Sequence, residues 1–269
     1  MILFQIKTYL QFLWNSKNEH AVHSPFVFHL VTKCFYDKKP KPDPSGSEQA
    51  KQNSILKNYR KSLLENKNHI EVTDFGAGSK VFKTNTRQIA KIAKTAGISS
   101  KRAQLLFRIA NYFQPQSILE IGTSLGLATA ALALGNPIAK ITTLEGCPET
   151  AKQCQLQLQK FNIYTVDLIT TEFSEYFKTH NLDLTKYNLI YFDGNHCKTA
   201  TLNYFKLLLP TVTNETVWIF DDIHWSKVMV EAWDVIKKHP KVTVTIDTYQ
   251  WGLVFFRKEQ EKEHFVIRI

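Results

Sequence analysis

The stretch ILEIGTSLG, residues 118–126, has the form of a short apolar strand that runs into a glycine-rich loop. A second stretch, TDFGAGS at residues 73–79, has a similar form. From Lys80 to Tyr112 the pattern that follows TDFGAGS is only helical, whereas apolar strands alternate with helix-length segments beyond ILEIGTSLG. ILEIGTSLG is therefore predicted to be the main ligand-binding loop. We interpret TDFGAGS as a structured turn or as a loop that folds over the pocket.

Seven strand candidates begin at Ser117: SILEI, AKITTLE, TVDLIT, NLIYFD, TVWIFD, VTVTID and GLVFF. The first five are separated by roughly helix-length segments, which is typical of right-handed βαβ units in a parallel sheet. The last two are joined by TYQW and must pair antiparallel. The predicted fold is α/β, a Rossmann-like core with a mostly parallel seven-stranded sheet and an antiparallel terminal hairpin.

Charge is distributed unevenly along the 269 residues. Residues 1–115 carry 19 Lys/Arg against 7 Asp/Glu, a surplus of 12, and residues 116–269 carry 15 against 17. We predict a mainly helical, basic extension over 1–115 and a ligand-binding domain over 116–269. The extension is expected either to meet an anionic partner, such as RNA or an anionic membrane surface, or to present a solvated lysine-rich face. MILFQIKTYLQFLW is a candidate interfacial helix.

Four cysteines occur with no CxxC pair, which favours a reducing, cytoplasmic location. The N-terminus lacks a basic leading segment and a small-residue cleavage site, so no signal peptide is predicted. The uncharged run at residues 121–139 contains glycine, asparagine and proline, and we interpret it as a buried strand, loop and helix.

The spacing in EIGTSLG departs from the G-x-G-x-x-G that a dinucleotide requires, because Ser124 stands where the second glycine would be. Glu120 is placed to meet the ammonium group of an amino-acid-like cofactor. Gly122 allows a ligand to lie on the backbone. Glu145 ends the next strand, 23 residues after Gly122, where its carboxylate could accept both hydroxyls of a ribose.

This combination over residues 117–257 resembles the class I S-adenosylmethionine-dependent methyltransferases. The resemblance implies that the methionine portion of S-adenosylmethionine is surrounded by Glu120, Gly122, Thr123, Ser124 and Gly126. It implies that Glu145 binds the ribose and that Thr171 and Glu172 lie near the adenine. The N-terminal pattern, HSPFVF followed by DFGAGS, also resembles uncharacterised methyltransferases of Bacteroidetes-type bacteria.

Three carboxylates follow the fourth and fifth strands, in YFDGNH and FDDIHW. Carboxyl ends of parallel strands share one rim, so we expect Asp193 to face Asp221 and Asp222 there, with Asp193 beside the cofactor. An oxygen-only set of this kind suits a hard divalent cation such as Mg²⁺. The alternative interpretation is that these aspartates cap helices or end strands in solvent.

The spacing of these aspartates resembles that of metal-dependent O-methyltransferases, in which the cation holds and acidifies a substrate hydroxyl. The chain has Asn195 where some sugar-modifying relatives have an acidic base, and Asp222 where catechol-type enzymes have asparagine. We therefore predict His196 as the catalytic base beside Asp193, with His224 as the alternative. A loop histidine that only orients Asp193 is the other interpretation of His196.

The segment EHAVHSPFVFHL is interpreted as a hydrophobic plug with a buried histidine, or as a wall of the substrate pocket. The predicted function is metal-assisted O-methylation of a small-molecule hydroxyl. An RNA methyltransferase and a non-catalytic protein that binds S-adenosylmethionine or a membrane surface are the alternatives. The sequence makes no prediction of oligomeric state.

Overall fold

The computed structural model of the chain describes residues 2–36, 47–73, 84–180 and 187–269. Its strands are β1 His69–Glu71, β2 Thr86–Gln88, β3 Ser117–Ile121, β4 Lys140–Glu145, β5 Val166–Thr170, β6 Leu189–Phe192, β7 Val217–Asp221, β8 Val244–Asp247, β9 Trp251–Phe255 and β10 Glu263–Val266. Its α-helices are α1 Ile2–Asn15, α2 Pro25–Leu30, α3 Glu48–Glu65, α4 Ile89–Thr95, α5 Ser100–Phe113, α6 Leu127–Gly135, α7 Pro148–Lys160, α8 Phe173–Thr179, α9 Lys198–Leu208 and α10 Lys227–Lys238.

The central sheet has the strand order β10-β8-β9-β7-β6-β3-β4-β5. Strands β3 to β7 are parallel, and β9 lies antiparallel between β7 and β8. The predicted α/β fold with an antiparallel terminal hairpin is confirmed. The sheet also has an eighth strand, β10, which pairs parallel to β8. The sequence did not reveal it, because the charged segment KEQEKEH precedes its few apolar residues.

Helices cover both faces of the sheet, so the central strands are largely buried on both sides and are mostly apolar. Successive residues of β3 show the alternation: Ile118 belongs to one apolar cluster and Leu119 to the other. The first cluster contains residues of α2 to α7, and the second contains residues of α8 to α10. The N-terminal helices therefore share a core with the sheet. The boundary at residue 115 between extension and domain stays a prediction.

The predicted helices before the sheet form as their patterns indicate. Helix α4 buries Ile89, Ile92 and Ala93, and it ends before Gly97. Helix α5 begins after Ser99, whose side chain accepts a hydrogen bond from the backbone N–H of Arg102. The first turn of α5 reaches the carboxyl end of β7 through Arg102 and Asp221, and the candidate site lies there.

Two expectations for the N-terminal part are wrong. Strand β2 pairs antiparallel with β1, so the pattern after Lys80 is not only helical. His20 and His23 are exposed and do not form a buried plug; Val27 and Leu30 of α2 fill that part of the core. Residues 74–79 of TDFGAGS, and 37–46 of the proline-rich stretch, lie outside the described residues.

All four cysteines are free thiols. Across the described ranges, no helix is long and apolar enough to cross a membrane.

Candidate active site

The glycine loop connects β3 to α6 through backbone conformations that ordinary side chains disfavour. Gly122 has φ +101° and Gly126 has φ +75°. A Cβ atom on Gly122 would lie 2.5 Å from the backbone oxygen of Asp193. A Cβ atom on Gly126 would lie 2.6 Å from the Cys154 sulfur. Glycine at position 122 thus lets the end of β3 approach the end of β6, where the acidic residues begin, and glycine at position 126 lets the start of α6 pack against Cys154.

A cleft of about 430 Å³ opens above this loop, at the carboxyl ends of β3, β4, β6 and β7. Its walls carry many of the predicted site residues: Gly122, Ser124, Glu145, Glu172, Asp193, His196, Asp221 and Asp222. Thr73 and Arg87, on either side of the glycine-containing segment at 74–83, also line it. The structure therefore brings the predicted cofactor and catalytic residues into one cavity.

The Glu145 carboxylate is oriented by two backbone donors. Its Oε2 accepts a hydrogen bond from the N–H of Ser124 at 2.8 Å, and its Oε1 accepts one from the N–H of Cys147 at 2.9 Å. Nearby, Thr171 donates its backbone N–H to the carbonyl of Glu145, and Glu172 lines the cleft at the start of α8. Thr171 is not among the residues that line the cleft.

Glu120 does not line the cleft. Its side chain is fully buried beneath the loop, where Oε2 accepts hydrogen bonds from the hydroxyls of Thr129 and Thr143. Burial raises the pKa of Glu120 to about 7, although both hydrogen bonds act to lower it. The Glu120 side chain would have to move before its carboxylate could contact a ligand. In this structure it supports the loop from below.

Two other loop residues predicted to contact the cofactor also face inward. Thr123 is buried, and its hydroxyl lies 2.6 Å from that of Thr143. Gly126 begins α6 against Cys154 and the Tyr59 hydroxyl. Among the five residues assigned to the methionine portion, Gly122 and Ser124 alone line the cleft.

Asp221 lies in a dense set of donors at the end of β7. Nη1 of Arg102 is 3.0 Å from Oδ1 and 3.2 Å from Oδ2, and the Tyr191 hydroxyl donates to Oδ2 at 2.9 Å. The backbone N–H of Asp222 donates to Oδ1 at 2.8 Å. Both carboxylate oxygens are therefore engaged, and Asp221 is only 4% exposed.

This arrangement does not fit the predicted divalent cation. A metal on Asp221 would compete with Arg102, whose guanidinium already supplies positive charge to the acidic group. In the part of the chain that the structure describes, no three His, Cys, Asp or Glu side chains are arranged to hold a metal ion. The convergence of Asp193, Asp221 and Asp222 is as predicted, but the cation that neutralises Asp221 belongs to the protein.

The remaining two carboxylates are strongly perturbed. Burial raises the pKa of Asp193 well above its usual range, and the charges of Asp221 and Asp222 raise it further. Burial, followed by the Asp221 charge, raises the pKa of Asp222 to about 6. Burial is the largest single influence on Arg102 and acts to lower its pKa, but the neighbouring acidic groups, Asp221 foremost, together leave that pKa above its usual value. One guanidinium thus faces three acidic side chains, and their burial and mutual repulsion raise the pKa of Asp193 and of Asp222.

The two candidate bases lie in different places. Nε2 of His196 is 3.7 Å from Oδ1 of Asp193, and its ring lies beside that of Trp225 in the cleft. His224 is not among the residues that line the cleft: its Nε2 is 2.8 Å from Oδ2 of Asp247, and its ring stacks on Tyr249. Of the two, His196 has the access that a base requires.

Several residues of the site were missed at the sequence level. Arg102 follows a helix cap and looks like one of many solvated cations of the basic N-terminal part. Aromatic side chains of Phe173, Tyr204 and Trp225 line the cleft. Trp225 directly follows His224 in FDDIHW, so its position after a strand end was a usable signal. Arg102 carried no such signal.

Residues 119–223 match a family model described as a methyltransferase domain. The solved structures that are similar to this chain include the following three. The O-methyltransferase TomG from Streptomyces achromogenes, involved in tomaymycin synthesis and solved with SAM, has 18% identity and a TM-score of 0.52, over 60% of this chain and 82% of that one. The O-methyltransferase from Bacillus cereus, in complex with SAH, has 16% identity and a TM-score of 0.52, over 82% and 95%. The SAH-bound methyltransferase PaMTH1 from Podospora anserina has 14% identity and a TM-score of 0.56, over 88% and 97%.

Residues 119–223 therefore match a methyltransferase domain, and the chain has the class I fold of S-adenosylmethionine-dependent methyltransferases. This confirms the class that the glycine loop and the terminal hairpin predicted.

Proposed function

We propose that the protein transfers a methyl group from S-adenosylmethionine to the oxygen of a small-molecule hydroxyl. One observation carries the proposal: a single cleft contains both the loop and acid suited to an adenosyl cofactor and a histidine–carboxylate pair suited to proton removal. The O-methyltransferases among the similar structures support the choice of oxygen as acceptor.

The residues present fit an adenosyl cofactor. Gly122 leaves the floor of the cleft free of a side chain, and Glu145 lines the cleft with its carboxylate oriented by Ser124 and Cys147. We assign the ribose hydroxyls to Glu145 and the adenine side to Glu172. The bound cofactor would supply an electrophilic methyl group. The protein's own task is to position the acceptor oxygen in line with it.

We assign to His196 the role of the base that takes the proton from the acceptor hydroxyl. Asp193 lies 3.7 Å from Nε2 of His196, so the ring nitrogen that Asp193 does not engage accepts the proton. The acceptor oxygen would receive the methyl group from the sulfur of the bound cofactor, and His196 would take the proton that this oxygen loses. The imidazolium that would form lies beside the acidic group, where the negative charge of Asp222 interacts favourably with a charged His196.

Arg102 and Asp221 act by position. Their ion pair fixes α5 to the end of β7 and holds positive charge beside Asp193 and Asp222. Because Arg102 supplies the positive charge beside these acids, the proposed reaction does not use a divalent cation. The aromatic wall at Trp225 and Tyr204 favours an acceptor with a flat or apolar body next to its hydroxyl.

The function is tested with purified protein and methyl-labelled S-adenosylmethionine. The expected result is transfer to members of a panel of phenols and small alcohols, with micromolar affinity for S-adenosylhomocysteine, about −8 kcal/mol. Gly122→Val should abolish this affinity, because the added atoms would collide with Asp193. Ile138→Val, a change of an exposed residue outside the cleft, is the control. Total RNA is included as the alternative acceptor; transfer to RNA and to no small molecule would refute the proposal.

A further inference from the structure

The outer face of α1 is strongly apolar although it contacts solvent. Leu3 is 83% exposed, Ile6 52%, Leu10 61% and Trp14 91%. Their spacing of three, four and four residues places all of them on one side of the helix. A single exposed apolar residue is ordinary, but four aligned along one helix mark a surface that binds something.

The inner face of the same helix is firmly attached. Phe12 is buried, and the Gln5 side chain donates a hydrogen bond to the backbone oxygen of Trp225. The Tyr249 hydroxyl donates to the backbone oxygen of Gln5 at 2.8 Å, and the Tyr9 ring packs edge-on against Tyr249. Helix α1 is thus held beside the cleft residue Trp225. Its outward apolar side chains stay half exposed or more.

The surroundings of the apolar face are cationic. Residues 1–18 contain Lys7 and Lys17 and no acidic residue. Lys7 lies on the exposed side of α1, about 40° around the helix from Leu3. Lys17 is bridged to Ile267, which places Arg268 next to it, and Arg268 is exposed. An apolar stripe bordered by Lys7, Lys17 and Arg268, with the partly exposed Glu19 as the nearest acid along the chain, is complementary to an anionic, partly apolar surface.

We propose that the outer face of α1 docks on an anionic lipid bilayer, with the helix lying in the plane of the interface. Leu3, Ile6 and Leu10 enter the boundary between headgroups and acyl chains. Trp14 lies at headgroup level, where its amphipathic ring is most stable. Lys7 and Lys17 meet the lipid phosphates. At 14 residues, α1 is about 21 Å long, shorter than the roughly 30 Å hydrocarbon core, so it lies along the surface.

A second copy of the chain suits this face less well. A two-fold interface sets the same surface against itself, so the lysines beside the stripe would have no acid opposite them from either α1. A bilayer containing anionic lipid supplies the missing negative charge. The docking surface does not depend on methyl transfer, and none of its four apolar residues lines the cleft.

The test is flotation of the full-length protein with vesicles of phosphatidylcholine alone and of phosphatidylcholine mixed with phosphatidylglycerol. Binding is expected to the anionic vesicles and to weaken as salt is raised, since the lysine contacts are screened. The double variant Leu10→Ser/Trp14→Ser should bind at least about tenfold more weakly, because it removes two of the inserted side chains. Ile138→Ser is the matched control: Ile138 is 85% exposed and lies outside α1.

A second measurement keeps the proposal testable if the double variant folds poorly. Of the five tryptophans, Trp14 is by far the most exposed, and Trp218, Trp233 and Trp251 are buried. Brominated lipid in anionic vesicles should therefore quench fluorescence of the native protein, and Trp14→Phe should lose most of that quenching. Equal flotation of the double variant and the native protein would overturn the proposal. So would a dimer, seen by light scattering, that the double variant loses while the native protein ignores anionic vesicles.

Discussion

Nη1 of Arg102 lies 3.0 Å from Oδ1 and 3.2 Å from Oδ2 of Asp221, so a helix of the N-terminal part supplies the cation of the acidic site. The two residues are separated by 119 positions and join α5 to the end of β7. This ion pair has two consequences. It occupies the position in which the aspartate spacing predicted a metal, and it couples the basic extension to the chemistry of the cleft.

Arg102→Met is expected to destabilise the protein by about 3–5 kcal/mol, because it leaves the buried Asp221 carboxylate without its partner. The double variant Arg102→Met/Asp221→Leu should recover most of this loss, since neither charge then remains. Urea unfolding of the single and double variants measures the difference. Lys178→Met, which removes an exposed pair with Glu175, is the control and should leave the unfolding midpoint unchanged. A double variant no more stable than Arg102→Met would contradict the assigned pairing.

Chelators are expected to leave methyl transfer unchanged, because the guanidinium of Arg102 holds the charge that a cation would supply. Initial rates are measured after dialysis against EDTA, then with Mg²⁺ or Mn²⁺ added. A rate that disappears in EDTA and returns with Mg²⁺ would show that a metal displaces Arg102 from Asp221. Arg102→Met would then be expected to bind the metal more tightly than the native protein does.

His196→Ala is expected to lower kcat by roughly 10²–10⁴-fold, the usual contribution of a general base. The loss should shrink at high pH, where the acceptor hydroxyl ionises without help. Affinity for S-adenosylhomocysteine, measured by calorimetry, should be unchanged, because no cofactor contact is assigned to His196. His224→Ala is the matched control: its partner is Asp247, outside the cleft, so it should keep near-native turnover. The reverse ranking of the two variants would move the base to His224.

Much of the fold could be predicted because local patterns determine it. The alternation of apolar strands with helix-length segments, and the tight TYQW connection, were sufficient for the parallel sheet and the antiparallel β9. Strand β10 escaped because four residues after a charged loop carry little periodicity, and it forms by pairing with β8. Tertiary pairing, not local propensity, decides such short strands.

The candidate site was predictable where it depends on strand ends. Asp193, Asp221 and Asp222 follow β6 and β7, so their convergence followed from topology alone. Arg102 could not be assigned in the same way, because its side chain reaches Asp221 only through the packing of α5 over the sheet. Glu120 shows the opposite limit: the pattern placed it correctly at the end of β3 but could not show that its side chain turns beneath the loop, toward Thr129 and Thr143.

Glu120→Gln should make the protein less sensitive to pH. In the folded state the pKa of Glu120 is raised to about 7 by burial, from an ordinary value of 4.5. The folded state therefore holds this proton more tightly than the unfolded chain, and the stability it contributes is lost as pH rises from 4.5 through about 7. Between about pH 5 and pH 8 the native protein should lose about 3 kcal/mol of unfolding free energy. The variant should not show this loss. Urea unfolding at both pH values measures this, with the exposed Glu175→Gln as the control.

Affinity for S-adenosylhomocysteine should be nearly native in Glu120→Gln, because the side chain lies beneath the loop. A pH-independent difference in stability, together with a large loss of affinity, would instead place the carboxylate on the cofactor.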